Sequence, residues 1–416
     1  MNDFPIRRNT ALLAAAIAAN SATLQLVVAA SAITFVMITG SSRLLGAGPA
    51  LFLIASALSS MPAGRLMDRV GRVPVLAGGF VIGAAGSAVT GFGTRANSTW
   101  LVVAGFVLIG ITGATAQLAR AAASDMYPPA HRARGIAFVM FGAIFGAILG
   151  PTVFGPLFRN RELTTQALSM AWFAGSGMML VALAITLFIR PDPKTIAEAL
   201  ERETAPANAP QTLVAAPLGE ILRRPGVFAA LITGVFSFAV MVAMMNLTGY
   251  IVVGHRHHAQ DTVFPIIGAH VVGMYLLLPI VGSVIDRGGR GVARMGGLAL
   301  IAASTAGLAF AESVVPIAAM LFLLGVGWNV SFVAATTQLA DLAAPWERGR
   351  LLGFHDFAAA FSGAAFVLLG GSVLAGFGVT ALALGASAVA LVPAALMSFT
   401  ARPRAATPHT APAQDA

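Results

Sequence analysis

The chain has 416 residues, of which 57% are hydrophobic and only 10% are charged. A soluble globular domain has about 25% charged residues, so this composition excludes an ordinary soluble domain. The sequence contains no cysteine, which excludes disulfide bonds, thiolate metal sites and cysteine nucleophiles.

Eleven runs without Asp, Glu, Lys or Arg divide the chain, and nearly all reach the roughly 20 residues that a helix needs to cross a bilayer. The last run, 357–401, is 45 residues long and continues an apolar stretch that begins at Leu351. It therefore holds two helices, with a break around Gly370, Gly371, Gly376 and Gly378. Twelve transmembrane helices in an all-α membrane fold are predicted. We number these spans 1 to 12 in chain order: 10–38, 46–66, 74–93, 99–123, 135–157, 166–189, 226–253, 262–285, 293–311, 314–341, 351–373 and 379–400.

The first run is too long for a signal-peptide core, so span 1 is expected to be retained. Basic residues between the spans predict the orientation. With the N-terminus in the cytoplasm, nineteen Lys and Arg residues face the cytoplasm and five face the periplasm. This excess follows the positive-inside rule, so both termini are predicted to be cytoplasmic. Topology and anionic lipid then explain the net charge of +9, and no nucleic-acid partner is expected.

The predicted spans form two halves of six. An N-terminal bundle is expected at 1–189 and a C-terminal bundle at 226–401, both in the lipid bilayer. The intervening segment 190–225 is rich in Pro, Ala and Glu, which indicates a cytoplasmic linker, with a short surface helix at Thr195–Glu203. The tail 402–416 is rich in Ala, Pro and Thr and is predicted to be disordered.

Two charge clusters repeat between the halves at nearly one offset. Asp68 and Asp286, at the ends of spans 2 and 8, are 218 positions apart, and Asp125 and Asp341, at the ends of spans 4 and 10, are 216 apart. An internal repeat of six helices is the expected plan of an alternating-access carrier, with the binding site between the halves. Physically, Asp68 can face the positive N-terminal end of a neighbouring helix, and Arg72 can bridge to Asp125.

The segment Gly64–Leu76, GRLMDRVGRVPVL, closely resembles the loop 2–3 signature of the major facilitator superfamily, with a degenerate copy at Gly282–Arg290. The resemblance implies a bacterial inner-membrane carrier whose two bundles rock between inward-open and outward-open states. It also implies a cytoplasmic latch that holds the outward-open state. The expected latch residues are Asp68, Arg69, Arg72, Asp125, Asp286, Arg287, Arg290 and Asp341. The alternative is that these charges serve topology alone, since an exposed ion pair contributes only about 0–1 kcal/mol.

Span 5 contains Gly146, Gly150, Pro151 and Gly155, in a pattern that resembles the glycine–proline signature of the superfamily's proton antiporters. One glycine of that signature is replaced here by Phe154. Small residues allow close packing against the other half, and Pro151 bends the helix. Glycine and proline are also common in any membrane helix, which is the alternative interpretation.

A second departure concerns the proton site. Antiporters of the superfamily often carry an arginine early in span 4, where this chain has Phe106, and span 1 has no carboxylate. If the protein couples to protons, it does so without the acidic site that is common in the N-terminal half.

Few ionisable residues remain inside the spans, and each is costly there, so each is a functional hypothesis. Asp356, with His355 beside it and His270 in span 8, is the candidate for proton coupling. Arg120 in span 4 is a candidate partner of Asp356, or a site for an anionic substrate group. The alternatives are that Asp356 stabilises the dipole at a helix N-terminus and that His270 is a neutral imidazole bonded to a backbone carbonyl.

Polar side chains on spans 1, 4, 7 and 10 are candidates for a substrate cavity, because these spans face the central pathway in this superfamily. Each could equally be hydrogen-bonding glue between helices. With Arg120, the candidates are Asn20, Gln25, Gln117, Asn246, Asn329 and Gln338.

The sequence therefore predicts a secondary active transporter of a small organic molecule, working by proton-coupled efflux, and not an enzyme. The alternatives are proton-linked uptake of a metabolite or vitamin and, in another class, a non-transporting membrane sensor with a carrier fold. A small-molecule substrate and protons are the expected partners, and the protein is expected to function as a monomer. No cofactor or metal is expected. The sequence has no phosphate-binding loop for ATP, and adjacent loop histidines such as His257 and His258 are usually solvated.

Overall fold

The computed structural model describes residues 4–128, 132–159, 163–204, 216–277, 280, 289–343 and 347–400. These residues are helical over almost their whole length. The predicted disordered tail and the latch residues Asp286 and Arg287 lie outside the described residues.

Within the described residues, every predicted span contains a helix. In spans 1–6 the helices are Ile6–Thr39, Ala47–Val70, Arg72–Arg95, Thr99–Gln117 with Ala119–Asp125, Arg132–Phe158 and Thr165–Leu187. In spans 7–12 they are Val227–Tyr250, Val263–Tyr275, Arg290–Leu308, Val314–Leu342 and Arg348–Thr400. Between the halves lie the linker helix Pro193–Thr204, close to its predicted position, and the short helix Leu218–Leu222.

Ten helices in the described part of the chain are long and apolar enough to cross a membrane. The count differs from twelve for two reasons. Span 8 is described as a helix over only the 13 residues Val263–Tyr275, and spans 11 and 12 form one helix of 53 residues. Such a helix would be about 80 Å long at 1.5 Å per residue, far longer than a bilayer is thick. Gly378, with φ 79° and ψ −174°, divides it into two spans.

The break between spans 11 and 12 was predicted over four glycines, but it lies at Gly378 alone. The helix continues through Gly370, Gly371 and Gly376, and of these Gly371 allows close packing against span 2. A Cβ atom on Gly371 would lie 2.6 Å from the backbone nitrogen of Gly46, and one on Gly46 would overlap the carbonyl oxygen of Val367. Glycine therefore allows spans 2 and 11 to touch backbone to backbone.

Span 4 is bent at Leu118, which separates its two helices. The Leu118 N–H donates to the Thr115 carbonyl at 3.0 Å, a tighter turn than an α-helix makes. The Thr115 hydroxyl donates to the Thr112 carbonyl at 2.9 Å, a back-bond that is known to bend helices. The bend places Arg120 in the short second helix.

The close backbone contacts between the two halves lie toward one end of the bundle. We call the end with the linker helix the linker end and the opposite one the far end. Near the far end, Gly249 of span 7 lies against the Ala29 carbonyl of span 1, and a Cβ on Gly268 of span 8 would lie 3.0 Å from the Ala147 carbonyl of span 5. With the contact of spans 2 and 11, three helix pairs close the far end.

Candidate functional site

An ion-pair network at the linker end joins spans 2, 3 and 4. Arg72 donates from Nε to Asp125 at 2.6 Å and from Nη1 to Asp68 at 2.6 Å. The predicted bridge from Arg72 to Asp125 is confirmed. The two carboxylates differ in solvent exposure: the Asp68 side chain is 72% exposed, and the Asp125 side chain is only 18% exposed.

The N-terminus of span 3 is capped by a residue that the sequence analysis did not select. Asp192, at the start of the linker, accepts the backbone N–H groups of Arg72 at 3.0 Å and Val73 at 2.8 Å. The prediction placed Asp68 at a helix N-terminus, and for span 3 Asp192 has that role. Gly71, with φ 108°, lets the carboxylate approach, since a Cβ there would lie 2.8 Å from Asp192 Oδ2.

The linker makes further bonds to the N-terminal half. Lys194 donates from Nζ to the carbonyl oxygens of Asp68 at 2.6 Å and Arg69 at 3.2 Å, at the C-terminus of span 2. Arg8 of span 1 donates to the Arg190 carbonyl at 2.6 Å. Positive charge at a helix C-terminus and negative charge at an N-terminus both stabilise the helix dipole. The start of the linker is therefore bound to its own half.

The C-terminal half has related contacts at the linker end. Arg290 pairs with Asp341, two of the predicted latch residues. Glu347, whose side chain is only 4% exposed, accepts from Arg224 at 2.6 and 3.0 Å and from the Ala216 N–H at 3.2 Å. Hydrogen bonding to Glu347 raises the pKa of Arg224 above its ordinary value. Glu347 was not predicted, although a lone acid next to Arg348 in a basic loop could have drawn attention to it.

Among the described residues, the ion pair between Arg120 and Asp356 joins the two halves within the spans. Arg120 Nη2 of span 4 lies 3.7 Å from Asp356 Oδ2 of span 11, and both side chains are half-exposed, at 40% and 48%. Arg120 also donates from Nε to the Gln117 carbonyl at 3.2 Å, at the bend of span 4. The structure thus brings together the two residues that the sequence analysis proposed as partners.

His355 holds Asp356 from the other side. Its Nδ1 lies 3.1 Å from Asp356 Oδ1, and because a carboxylate only accepts, Nδ1 carries the hydrogen. The His355 side chain is fully buried, and its Nε2 has no hydrogen-bond partner among the described residues. Gly234 of span 7 lies directly against this nitrogen.

His270 lies apart from this pair. It is fully buried in span 8, and its Nδ1 lies 2.7 Å from the Leu321 carbonyl of span 10. This contact matches the alternative of an imidazole bonded to a backbone carbonyl. Within the described residues, no ion pair joins His270 to Asp356.

Aromatic rings form a continuous surface next to His355. We call Phe238, Tyr275, Trp328 and Phe332 the aromatic wall; they come from spans 7, 8 and 10. Trp328 stacks on Phe332 with 5.0 Å between ring centroids, and Tyr275 meets Trp328 edge-on at 6.4 Å. Phe332 in turn lies 6.0 Å from Phe238 and 5.2 Å from His355. The sequence analysis missed this surface, although the spacing of four residues between Trp328 and Phe332 puts both on one helix face.

Three of the six polar cavity candidates donate to a helix backbone carbonyl. Gln25 donates to the Gly146 carbonyl at 2.5 Å, Asn246 donates to the Val242 carbonyl at 2.8 Å, and Asn329 donates to the Met274 carbonyl. The bonds of Gln25 and Asn329 join two helices and match the interpretation as glue, whereas the bond of Asn246 lies within its own helix. Gln338 lies beside Gly226 at the start of span 7, Asn20 is partly buried, and Gln117 is exposed at the bend of span 4.

The glycines of span 5 pack within their own half. A Cβ on Gly146 would lie 2.7 Å from the Ala18 carbonyl, and one on Gly150 would lie 2.6 Å from Gln25 Oε1, both in span 1. The prediction that they pack against the other half is therefore wrong for these two glycines, which pack against span 1 of their own half. Gly155 has no neighbour within 4 Å of a built Cβ, and Pro151 lies inside the helix Arg132–Phe158.

Aromatic residues of span 5 make the contact to the other half. Phe154 and Phe158 each stack on Phe264 of span 8, with 5.9 Å between ring centroids. Phe154, in the place of a signature glycine, thus helps to close the far end. Helices of a membrane bundle commonly associate through van der Waals packing of this kind.

One of the loop histidines, His258, contacts a backbone carbonyl, and so does the neighbouring Arg256. His258 Nε2 lies 2.7 Å from the Glu312 carbonyl, and Arg256 donates to the Ala309 carbonyl at 3.3 Å. In the described part of the chain, no group of three His, Asp or Glu residues could hold a metal ion.

The chain is similar to known bacterial transporters over most of its length. It is 31% identical to the MFS-type transporter YdeG of Bacillus subtilis over 368 residues, 86% of this chain and 84% of that one. It is 28% identical to the riboflavin transporter RfnT of Brucella anthropi, over 84% of this chain and 85% of that one. The class H tetracycline resistance protein of Pasteurella multocida is 29% identical over a shorter region, 38% of this chain and 37% of that one.

The fold has solved counterparts. The xylose transporter XylE from E. coli, in a partially occluded inward-open conformation, superposes with a TM-score of 0.72 at 15% identity, over 95% of this chain and 98% of that one. The model of the Major Facilitator Superfamily matches residues 11–274. The chain is therefore a member of the major facilitator superfamily: it is a multi-pass membrane transporter and not an enzyme.

Proposed function

We propose that the protein is a proton-coupled secondary active transporter of a small organic molecule, in which Asp356 carries the proton and Arg120 is its counter-ion. The observation that carries this proposal is the ion pair between them. It joins the two halves inside the membrane-spanning region, where an ionisable group is costly and is usually functional.

Protonation of Asp356 removes its negative charge and with it the attraction to Arg120 across the halves. Because the pair joins spans 4 and 11, the contact between the halves weakens when the proton binds. His355 donates to the carboxylate and fixes its position, so the proton is taken up at a defined place. Each proton that moves down 100 mV supplies about 2.3 kcal/mol, enough for roughly fifty-fold accumulation of a substrate.

The direction of transport that we propose is efflux by antiport, from the bacterial inner membrane. The span 5 pattern and the similarity to a tetracycline resistance protein support it. Uptake of a vitamin is the second candidate, supported by the riboflavin transporter that matches 84% of this chain.

With both termini in the cytoplasm, the closed far end is periplasmic and the structure is inward-facing. The charged residues at the linker end then act as the latch of the outward-open state.

The test uses purified protein in liposomes that hold a pH-sensitive dye, under an imposed pH gradient. Riboflavin and tetracycline are added separately, and substrate flux and proton movement are both recorded. Substrate flux accompanied by opposite proton movement is the expected result. Asp356→Asn should remove the proton signal, while the matched change Asp261→Asn, in a far-end loop, should retain it.

Two results would contradict the proposal. Substrate-dependent proton movement that persists in Asp356→Asn would take the coupling role from Asp356. Binding of a substrate without any flux would favour the sensor alternative.

A further inference from the structure

We propose that the aromatic wall is the binding surface for the substrate and that it selects flat heteroaromatic molecules. This inference rests on the proposed transport function and adds the chemical class of the substrate. Three observations carry it: the arrangement of the rings, the N–H of Trp328 that has no partner among the described residues, and the position of Arg120.

The rings offer a stacking face. Trp328 and Phe332 are nearly parallel, with an interplanar angle of 29°. Tyr275 stands edge-on to Trp328 at 79°, so it flanks the stacked pair. Trp328, Phe332 and Tyr275 are each partly exposed, which leaves ring surface free for contact. A flat aromatic molecule gains from offset stacking on such a surface beyond the gain from burial alone.

The wall lies where the halves meet. Tyr275 belongs to the C-terminal half, but it packs against the core cluster of the N-terminal half. Phe332 contacts His355, whose neighbour Asp356 pairs with Arg120 of span 4. A molecule on the wall would therefore lie between the two halves, in reach of the pair proposed to couple the proton.

One polar atom of the wall has no hydrogen-bond partner in the described residues: Nε1 of Trp328, which is an N–H donor. A buried polar group without a partner is costly away from water, so a ligand that bonds to it gains affinity.

This N–H defines the edge of the ligand. It requires an acceptor, such as a ring carbonyl or ring nitrogen, and a heteroaromatic ring carries such an acceptor in its own plane. A saturated sugar offers hydroxyl groups but no flat face, and a plain aromatic hydrocarbon offers a flat face but no acceptor.

Binding to the full-length protein in detergent tests the inference separately from transport. The probe is lumichrome, a fluorescent three-ring heterocycle with N–H and C=O groups on its edge, measured by fluorescence polarisation. The competitor is 1-adamantanol, a compact and non-planar alcohol. Trp328→Leu removes the stacking ring and the N–H, and Trp328→Phe keeps a ring without the N–H. Trp100→Leu is the matched control, because Trp100 is 83% exposed at the other end of span 4.

We expect lumichrome to bind the wild type, and to bind Trp328→Leu with about tenfold lower affinity. Trp328→Phe should bind lumichrome with about threefold lower affinity than the wild type. The control variant should bind as the wild type does, and 1-adamantanol should not displace the probe. Equal affinities in the two Trp→Leu variants, displacement by 1-adamantanol, or absence of lumichrome binding in the wild type would each overturn the inference. Gel filtration of Trp328→Leu checks its folding, and if it aggregates, Trp328→Phe and Phe332→Leu carry the test.

The two proposals fail separately. If lumichrome binds in this pattern but no substrate moves protons in liposomes, the binding surface stands and the coupled-transport proposal is wrong. If proton-coupled flux of another molecule is found while lumichrome does not bind, the transport function stands and the substrate class is wrong.

Discussion

Gly234 of span 7 and the ring of His355 are in such close contact that the residue at position 234 controls the candidate proton site. A Cβ atom at this position would overlap His355 Nε2 and would lie 3.0 Å from Cδ2 and 3.1 Å from Cε1. His355 is fully buried and lies against Phe332, so its ring has little room to move. We therefore expect Gly234→Ala to displace His355 from Asp356.

Two opposing terms set the size of the effect on stability. Overpacking of a buried site costs about 1–3 kcal/mol. Replacing glycine by alanine within a helix stabilises the helix by about 1 kcal/mol. The control is Gly177→Ala in span 6, where a built Cβ has no neighbour within 4 Å, so only the favourable term applies. The two variants should therefore differ in the free energy of unfolding by about 1–3 kcal/mol.

The functional effect follows from the hydrogen bond between His355 and Asp356. A bond to a charged group contributes about 1.5–3 kcal/mol, so its loss should reduce proton-coupled flux about tenfold or more. Thermal unfolding in detergent and the liposome assay measure the two effects on the same preparations. If Gly234→Ala matches Gly177→Ala in both assays, then neither the close packing nor the role of His355 is correct.

Two further predictions concern the linker-end charges and the orientation. Asp125→Asn should lower the free energy of unfolding by about 1–3 kcal/mol, and Asp68→Asn by at most about 1 kcal/mol, because only the former carboxylate is largely buried. Thermal unfolding at low and high salt checks this, and equal losses in both variants would contradict the burial argument. Since the chain has no cysteine, Ala96→Cys and Glu220→Cys each create a single reactive site. An impermeant maleimide should label the former in intact cells and the latter only after permeabilisation; the reverse pattern would invert the proposed topology.

The helices could be predicted because a bilayer tolerates few charges. In the part of the chain that the structure describes, each long charge-free run contains at least one helix, and charged residues lie near most helix ends. The break between spans 11 and 12 could be located only within a cluster of glycines. Sequence does not distinguish Gly378, which ends a helix through a positive φ, from Gly371, which allows two helices to touch.

The two charged residues of the ion pair within the spans could be predicted from the sequence. Few ionisable residues lie within the spans, so Arg120 could be proposed as a candidate partner of Asp356. The aromatic wall was not predicted, because aromatic residues are common on lipid-facing surfaces. The sequence does not reveal which aromatic side chains point toward the other half and which point toward lipid. Asp192 was missed for a related reason: its partners are backbone N–H groups of a distant helix, which leave no trace in the sequence.

The hydrogen bonds of the linker also indicate where the chain can be divided into two fragments. Asp192 and Lys194 bond to the N-terminal half, whereas Ala216 and Arg224 bond to Glu347 of the C-terminal half. An interruption of the chain just after Thr204 would leave each of these contacts within one fragment. The two fragments could then be produced as separate polypeptides or exchanged with those of a relative, and each would keep the contacts that hold its own end of the linker.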